Sequence, residues 1–136
     1  FTAGDIPAWL LLGAVTVWIG GFDIIYACQD VQADRAAGLY AIPAQFGVPV
    51  ALALSSLCHV ITITLLIVLG QTLALGWPYW LALAVIAGLL IYEHSLVHPG
   101  DLSRIYVAFF NINSYISVTL LAGVFGALFL VNGLNG

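Results

Sequence analysis

Asp23-Ile-Ile-Tyr26-Ala-Cys28-Gln-Asp30-Val-Gln-Ala-Asp34-Arg35-Ala-Ala-Gly38-Leu-Tyr-Ala-Ile-Pro43 is the stretch whose reading decides the fold. Three of the chain's six acidic residues fall in it, seven and then four positions apart, at the close of a long apolar run. At about 100° per residue, Asp30 lies about 20° from the direction of Asp23, and Asp34 about 40° beyond Asp30. One helical stripe therefore carries all three, with Tyr26 and Ala27 between them. Asp30 and Asp34 are one turn apart, about 6 Å along the axis, a spacing at which two carboxylates reach one divalent cation or a hydrated metal–phosphate cluster. A solvated helix end accounts for Asp34 and Arg35, but not for Asp23, which follows an uncharged run from Ile6 to Phe22. An ionisable group inside a membrane-type helix marks a functional site, because burying it unpaired is costly. Three carboxylates on one stripe repel one another unless cations lie between them. Arg35 and Arg104 are the only basic side chains of Lys or Arg type in the chain, so bound metal cations are the expected partners.

Working outward, the 136 residues are 63% hydrophobic and 6% charged, with a mean hydropathy of +1.15. A soluble domain carries about 25% charged residues; this composition is that of a polytopic membrane protein. Two basic residues exclude a nucleic-acid-binding patch. Cys28 and Cys58 have no metal-site spacing and read as small apolar fillers. Phe1 stands where an initiator Met would, and no basic region precedes the first apolar run, so the expectation is a segment of a longer protein rather than a signal peptide.

The fold expected is an all-α, multi-span transmembrane helical bundle of one domain over 1–136, with spans at about 7–29, 48–69, 78–97 and 104–131. In the first span, Asp5 caps, Pro7 fits the first turn, and Gly13, Gly20 and Gly21 allow close packing. Gly38 and Pro43 then break the chain, and a short helical piece over Pro43–Phe46 is predicted along the membrane surface. His59 stands alone at midspan and is expected to hydrogen-bond between helices. Trp77, Tyr79 and Trp80 suggest an aromatic belt at a membrane interface. Glu93, His94 and His98 have a spacing reminiscent of a metal site, but a wet helix end explains them better. The fourth span is longer than the hydrocarbon core requires, so its first turns project or bend; Asn113 and Ser117 within it are placed toward the bundle interior. Alternating direction puts both loops that carry Arg35 and Arg104 on one side, which the positive-inside bias makes cytoplasmic.

The run from Gly21 through Asp23, Tyr26, Asp30, Asp34 and Arg35 to Ile42-Pro43-Ala-Gln-Phe-Gly47 resembles the second aspartate-rich motif of the UbiA superfamily of intramembrane aromatic prenyltransferases. Tyr92-Glu93-His94, and Asp101-Leu-Ser-Arg104 through Phe109-Phe110-Asn111-Ile-Asn113, are similar to its 4-hydroxybenzoate polyprenyltransferase branch and its menaquinone-pathway relatives. The resemblance implies that these four helices are the last four of nine in a full protein, set in the cell's inner membrane. The missing amino-terminal helices would bring a first aspartate-rich motif. It further implies Mg²⁺ held on a prenyl diphosphate by Asp30 and Asp34, Asp23 as the catalytic group beside an aromatic acceptor, and Tyr26, Arg35 and Asn113 as substrate contacts. The pattern departs from the family's at Ala36, Ala37, Tyr40 and Ala41.

The residues themselves suit that chemistry. An allylic diphosphate departs as an anion that carboxylate-held metal neutralises. The allylic cation needs a dry cavity with aromatic faces, for which Tyr26, Phe22 and Phe110 are candidates. A carboxylate such as Asp23 can take the phenol's proton or orient its hydroxyl. A cation transporter or channel with a carboxylate-lined pathway is the competing reading. It requires polar groups along a whole span, whereas the opposite halves of the later spans are almost wholly apolar. A structural membrane segment without activity is the third.

Overall fold

The computed structural model describes residues 3–98, 100–105 and 107–135. Four long helices, α1 (Ile6–Ala27), α4 (Val48–Thr72), α5 (Trp77–Ser95) and α6 (Asn113–Asn135), form the body. Two short ones, α2 (Val31–Ala36) and α3 (Ile42–Phe46), lie in the first connection. No strand occurs among the described residues beyond an isolated bridge between His98 and Asp101. Among the described residues, three stretches are long and apolar enough to cross a membrane: Ile6–Ala36, Val48–Thr72 and Phe110–Leu130. The 19-residue α5, expected as a fourth span, is not among them. Polar and aromatic ends, Trp77-Pro78-Tyr79-Trp80 and Tyr92-Glu93-His94-Ser95, lower its apolar average.

Packing follows the small residues. Along α1, Ala14, Gly21 and Ile25 are buried, one face of the helix turned to α4. There the Ser55 hydroxyl donates to the Gly21 carbonyl at 2.6 Å, and Thr62 reaches the Ala14 carbonyl at 3.5 Å. Gly21 lets the helices close: a Cβ on it would stand 2.6 Å from His59 Nε2. Gly123 plays the same part between α6 and α5, where a Cβ would overlap Ala82. One apolar cluster joins Ile25 and Cys28 to Ala51, Val97 and Ile105, so the α1–α4 and α5–α6 connections meet at one end of the bundle. Another, with Leu66, Leu69, Leu75, Tyr79 and Ala127, closes the far end. The expected loop arrangement is thus present. Tyr79 corrects the belt reading: it is 1% exposed, and its hydroxyl donates to the Leu66 carbonyl at 2.5 Å. Trp77, at 68% exposed, remains suited to an interface.

The fourth span does not begin as a regular α-helix. A π-helical stretch, Val107–Ile112, precedes α6, the kind of widened turn that re-aims a helix. It leaves Ile112, Asn113 and Ile116 buried. Ser117 faces outward instead of inward; its hydroxyl donates back to the Asn113 carbonyl at 2.9 Å. Pro99, part of the polar turn expected after α5, and the side chain of Phe109 lie outside the described residues.

Candidate functional site

Asp23 sits in the last third of α1 and is exposed. It lies nine residues from Ala14, about 180° round the helix from the face that packs on α4. Trp9, Leu12, Thr16 and Ile19 share its outward side. In apolar surroundings this carboxylate stands on an otherwise greasy helix face.

The helix does not continue regularly to Asp30. Cys28–Asp30 form a 3₁₀ turn, in which each residue advances about 120° rather than 100°, so Asp30 is carried roughly 60° further round than an α-helix would place it. Asp30 then has φ −104° and ψ 13° and begins α2. The single straight stripe read from the sequence is therefore fanned at its outer end: Asp30 is exposed and Asp34 half-buried. Cys28 is buried, as expected of a filler, with its thiol toward the Ile24 carbonyl at 3.4 Å. Tyr26 is half-buried against the cluster of Ile25 and Ala51.

The α2 end is fixed locally. Gly38, at φ +73°, takes the left-handed conformation, and Leu39 N–H returns to the Asp34 carbonyl at 2.9 Å, closing a Schellman-type stop. Arg35 Nε donates to the Ala44 carbonyl at 2.7 Å. The side chain expected to meet diphosphate thus also ties α2 to α3; the short helix expected over Pro43–Phe46 is present over Ile42–Phe46.

On the other loop, Asp101 accepts from Ser103 Oγ at 2.6 Å and Ser103 N–H at 3.0 Å. These bonds hold its carboxyl below the ordinary Asp range. His94 does not face His98. It meets His59 of α4, with His59 Nδ1 and His94 Nε2 2.7 Å apart and the rings edge to face at 4.9 Å. This confirms the interhelical role of His59, and the partner is one that sequence spacing did not indicate. Glu93 overturns the wet-helix-end reading: it is 0% exposed, and both carboxyl oxygens lack a hydrogen-bond partner among the described residues. Asn113 is buried at the start of α6.

Among the described residues no three His, Cys, Asp or Glu side chains gather as a metal site. The all-oxygen pair Asp30 and Asp34 fits Mg²⁺ in its usual protein mode, one or two carboxylates with the remaining positions left to water and substrate phosphate.

An all-helical, multi-pass membrane protein with carboxylates at its loop-bearing end is the class this architecture defines. The profile of the UbiA prenyltransferase family matches residues 1–115, and the chain belongs to that family. It is similar to a 4-hydroxybenzoate octaprenyltransferase of Nitrosospira multiformis, 32% identical over 122 residues, which cover 87% of this chain and 40% of the relative. The 4-hydroxybenzoate octaprenyltransferase of Cupriavidus necator is 34% identical over 116 residues, covering 85% and 40%. The chain thus spans about 40% of the length of these curated relatives. No solved structure gave a significant match.

Proposed function

We propose that the full-length protein transfers a polyprenyl group from a prenyl diphosphate to an aromatic acceptor such as 4-hydroxybenzoate, in ubiquinone or menaquinone biosynthesis. The observation that carries this reading is the graded placement of three aspartates: Asp30 and Asp34 in the first connection, Asp23 seven residues earlier on the outward face of a membrane helix. The relatives' named activity supports it. Asp30 and Asp34 would hold Mg²⁺, together with carboxylates from helices preceding this segment in the full protein. Bound there, the metal supplies charge neutralisation for the departing diphosphate. Asp23 lies roughly 10 Å deeper, where an acceptor ring below the diphosphate would sit. It orients the phenol hydroxyl or takes a proton from it. Tyr26 and Phe22, neighbouring aromatics on α1, would offer faces suited to an allylic cation. Arg35, already ordered by Ala44, faces the diphosphate end, and Asn113 supports the substrate from α6. The four helices would be the last four of nine, with the Arg35 and Arg104 loops on the cytoplasmic side of the inner membrane and prenyl tails in the bilayer.

The test is turnover by the full-length protein in proteoliposomes, with a polyprenyl diphosphate, 4-hydroxybenzoate and Mg²⁺. Prenylated hydroxybenzoate is expected, and its formation should cease with chelator. Absence of product, together with a cation flux through the same vesicles, would overturn the assignment in favour of transport.

A further inference from the structure

Among the described residues, Trp18 Nε1, His59 Nε2 and both carboxyl oxygens of Glu93 are buried without a hydrogen-bond partner. They come from three helices, yet packing brings them to one level of the bundle. The Ser55–Gly21 and Thr62–Ala14 bonds set the register of α4 on α1, and it places Trp18 level with residues 58–59. His59 in turn meets His94, the neighbour of Glu93. On the far side, Gly123 against Ala82 and Gly126 against Pro78 set antiparallel α6 on α5. That register brings Glu93 level with residues 111–112, just before the buried Asn113. The three side chains thus lie within about one helical turn, roughly 5 Å, of each other along the bundle.

They also point inward. Glu93 is 0% exposed and shares its face of α5 with Ile86 and Leu90. Trp18 packs on the cluster that those two make with Ile112 and Ile116. His59 Nε2 is directed at α1, against Gly21. A void of about 10 Å³ borders Trp18, Leu90 and Ile116, about the room one water needs. These three are its borders nearest the loop-bearing end, and Glu93 lies one turn beyond Leu90.

The hydrogen bonds fix which of these atoms give and which accept. The Ser56 hydroxyl donates to the Leu52 carbonyl at 3.0 Å, so its oxygen is the acceptor for His94 Nδ1 at 3.4 Å. A neutral imidazole has one N–H; His94 carries it on Nδ1 and accepts through Nε2. His59 Nδ1, 2.7 Å from that nitrogen, is then the donor, and His59 Nε2 keeps a bare lone pair. The set is an indole N–H, an imidazole lone pair and a carboxyl group. A metal cation would leave the N–H unmet, and an anion would leave the lone pair unmet. Water accepts from the one, donates to the other, and meets a carboxyl in either protonation state.

The geometry points to an internal water site at this level, where ordered water accepts from Trp18 Nε1 and donates to His59 Nε2 and Glu93. Three such partners are the usual number for a buried water. The site stands on the packed face of α1, opposite Asp23, and is independent of the prenyl-transfer reading. Through His59 and His94 it joins the buried carboxyl to the exposed hydroxyl of Ser56.

The experiment is magic-angle-spinning NMR on the full-length protein in lipid bilayers, with ¹⁵N-labelled tryptophan and histidine and magnetisation passed from water. Trp18→Phe, His59→Phe and His94→Phe assign the signals, and Trp77, 68% exposed, is the positive control for transfer. Transfer to the Trp18 indole N–H is expected, with both imidazoles protonated on Nδ1 and bare on Nε2. Glu93→Gln keeps hydrogen-bonding groups in place and should retain the transfer; Glu93→Leu should lose it. A Trp18 indole that receives nothing from water in the unaltered protein overturns the site, whether or not Glu93→Leu folds. So does transfer that persists undiminished in Glu93→Leu, or a His59 proton found on Nε2.

Discussion

Gly21→Ala tests whether the α1–α4 interface is as close as described. The added Cβ would stand 2.6 Å from His59 Nε2, 2.7 Å from His59 Cδ2 and 3.1 Å from Cys58 Cβ, whereas ordinary contact begins at 3.4 Å. The imidazole or the helix must retreat by about 0.8 Å, and overpacking of this kind costs about 1–3 kcal/mol. Retreat of the ring also stretches the 2.7 Å bond to His94, which carries the strain to the α4–α5 junction. Gly20→Ala is the control, since nothing lies within 4 Å of its Cβ position. Both changes gain the same helix propensity, about 1 kcal/mol, so their difference isolates the clash. Reversible unfolding in mixed detergent micelles should show Gly21→Ala about 1–3 kcal/mol less stable than Gly20→Ala. His59→Ala should cost less in the Gly21→Ala background than alone, with a coupling of about 0.5–3 kcal/mol. Equal stabilities for the two alanine variants, or a cycle that closes to zero, would refute the packing.

In the full-length protein, Asp30→Ala or Asp34→Ala should weaken Mg²⁺-dependent diphosphate binding and turnover together, whereas Asp23→Asn should lower single-turnover rate and leave diphosphate binding nearly intact; equal loss of binding in all three would place Asp23 in the metal cluster. The chain of 136 residues alone, in detergent with Mg²⁺ and both substrates, should form no product; any prenylated hydroxybenzoate contradicts this. Single cysteines at Gln32 and Gly133, in a background lacking Cys28 and Cys58, should label from opposite sides of the membrane, and labelling from one side would break the topology. Glu93→Gln replaces a buried carboxyl group whose two oxygens have no partner among the described residues; it should leave stability unchanged or raise it by about 1–3 kcal/mol, and a clear loss in micelle unfolding would show that the carboxyl group is paired in the full protein.

What was legible in the sequence were features set by neighbours along the chain. Apolar length gives the helices, and Gly38 gives the stop after α2, since only a residue free to take φ +73° closes that turn well. Alternating direction gives the meeting of the two connections, seen in the cluster of Cys28, Ala51 and Val97. The 3₁₀ turn at Cys28–Asp30 was not legible, because nothing in Cys-Gln-Asp breaks an α-helix. His94 was read against His98, its neighbour one turn on, while its actual partner, His59, is 35 residues away. Finding it requires the register of α4 against α5, which no local spacing encodes. Glu93 was similarly hidden: at a helix end it reads as wet, and only the tertiary packing of that end makes it dry.

Asp23 is the residue whose surroundings constrain the whole protein most. It stands outward among Leu12, Ile19 and Trp9 on a helix long enough to span a bilayer. Lipid cannot cover it, because an ionisable group facing hydrocarbon carries a cost of at least a few kcal/mol. The face must instead be roofed by protein or border a polar cavity. The four helices offer no roof: α4 already occupies the opposite side of α1, and α5 and α6 pack beyond it through Trp18 and Ile116. The relatives are long enough to supply one, since this chain corresponds to 40% of their length. A cavity enclosed between this face and further helices would have Asp23 in its wall and the Asp30–Asp34 connection at its rim. Under the proposed function, depth along a single helix would separate charge-bearing diphosphate from the apolar reacting carbon. That separation is what a bilayer enzyme joining a water-soluble head to a lipid-soluble tail requires.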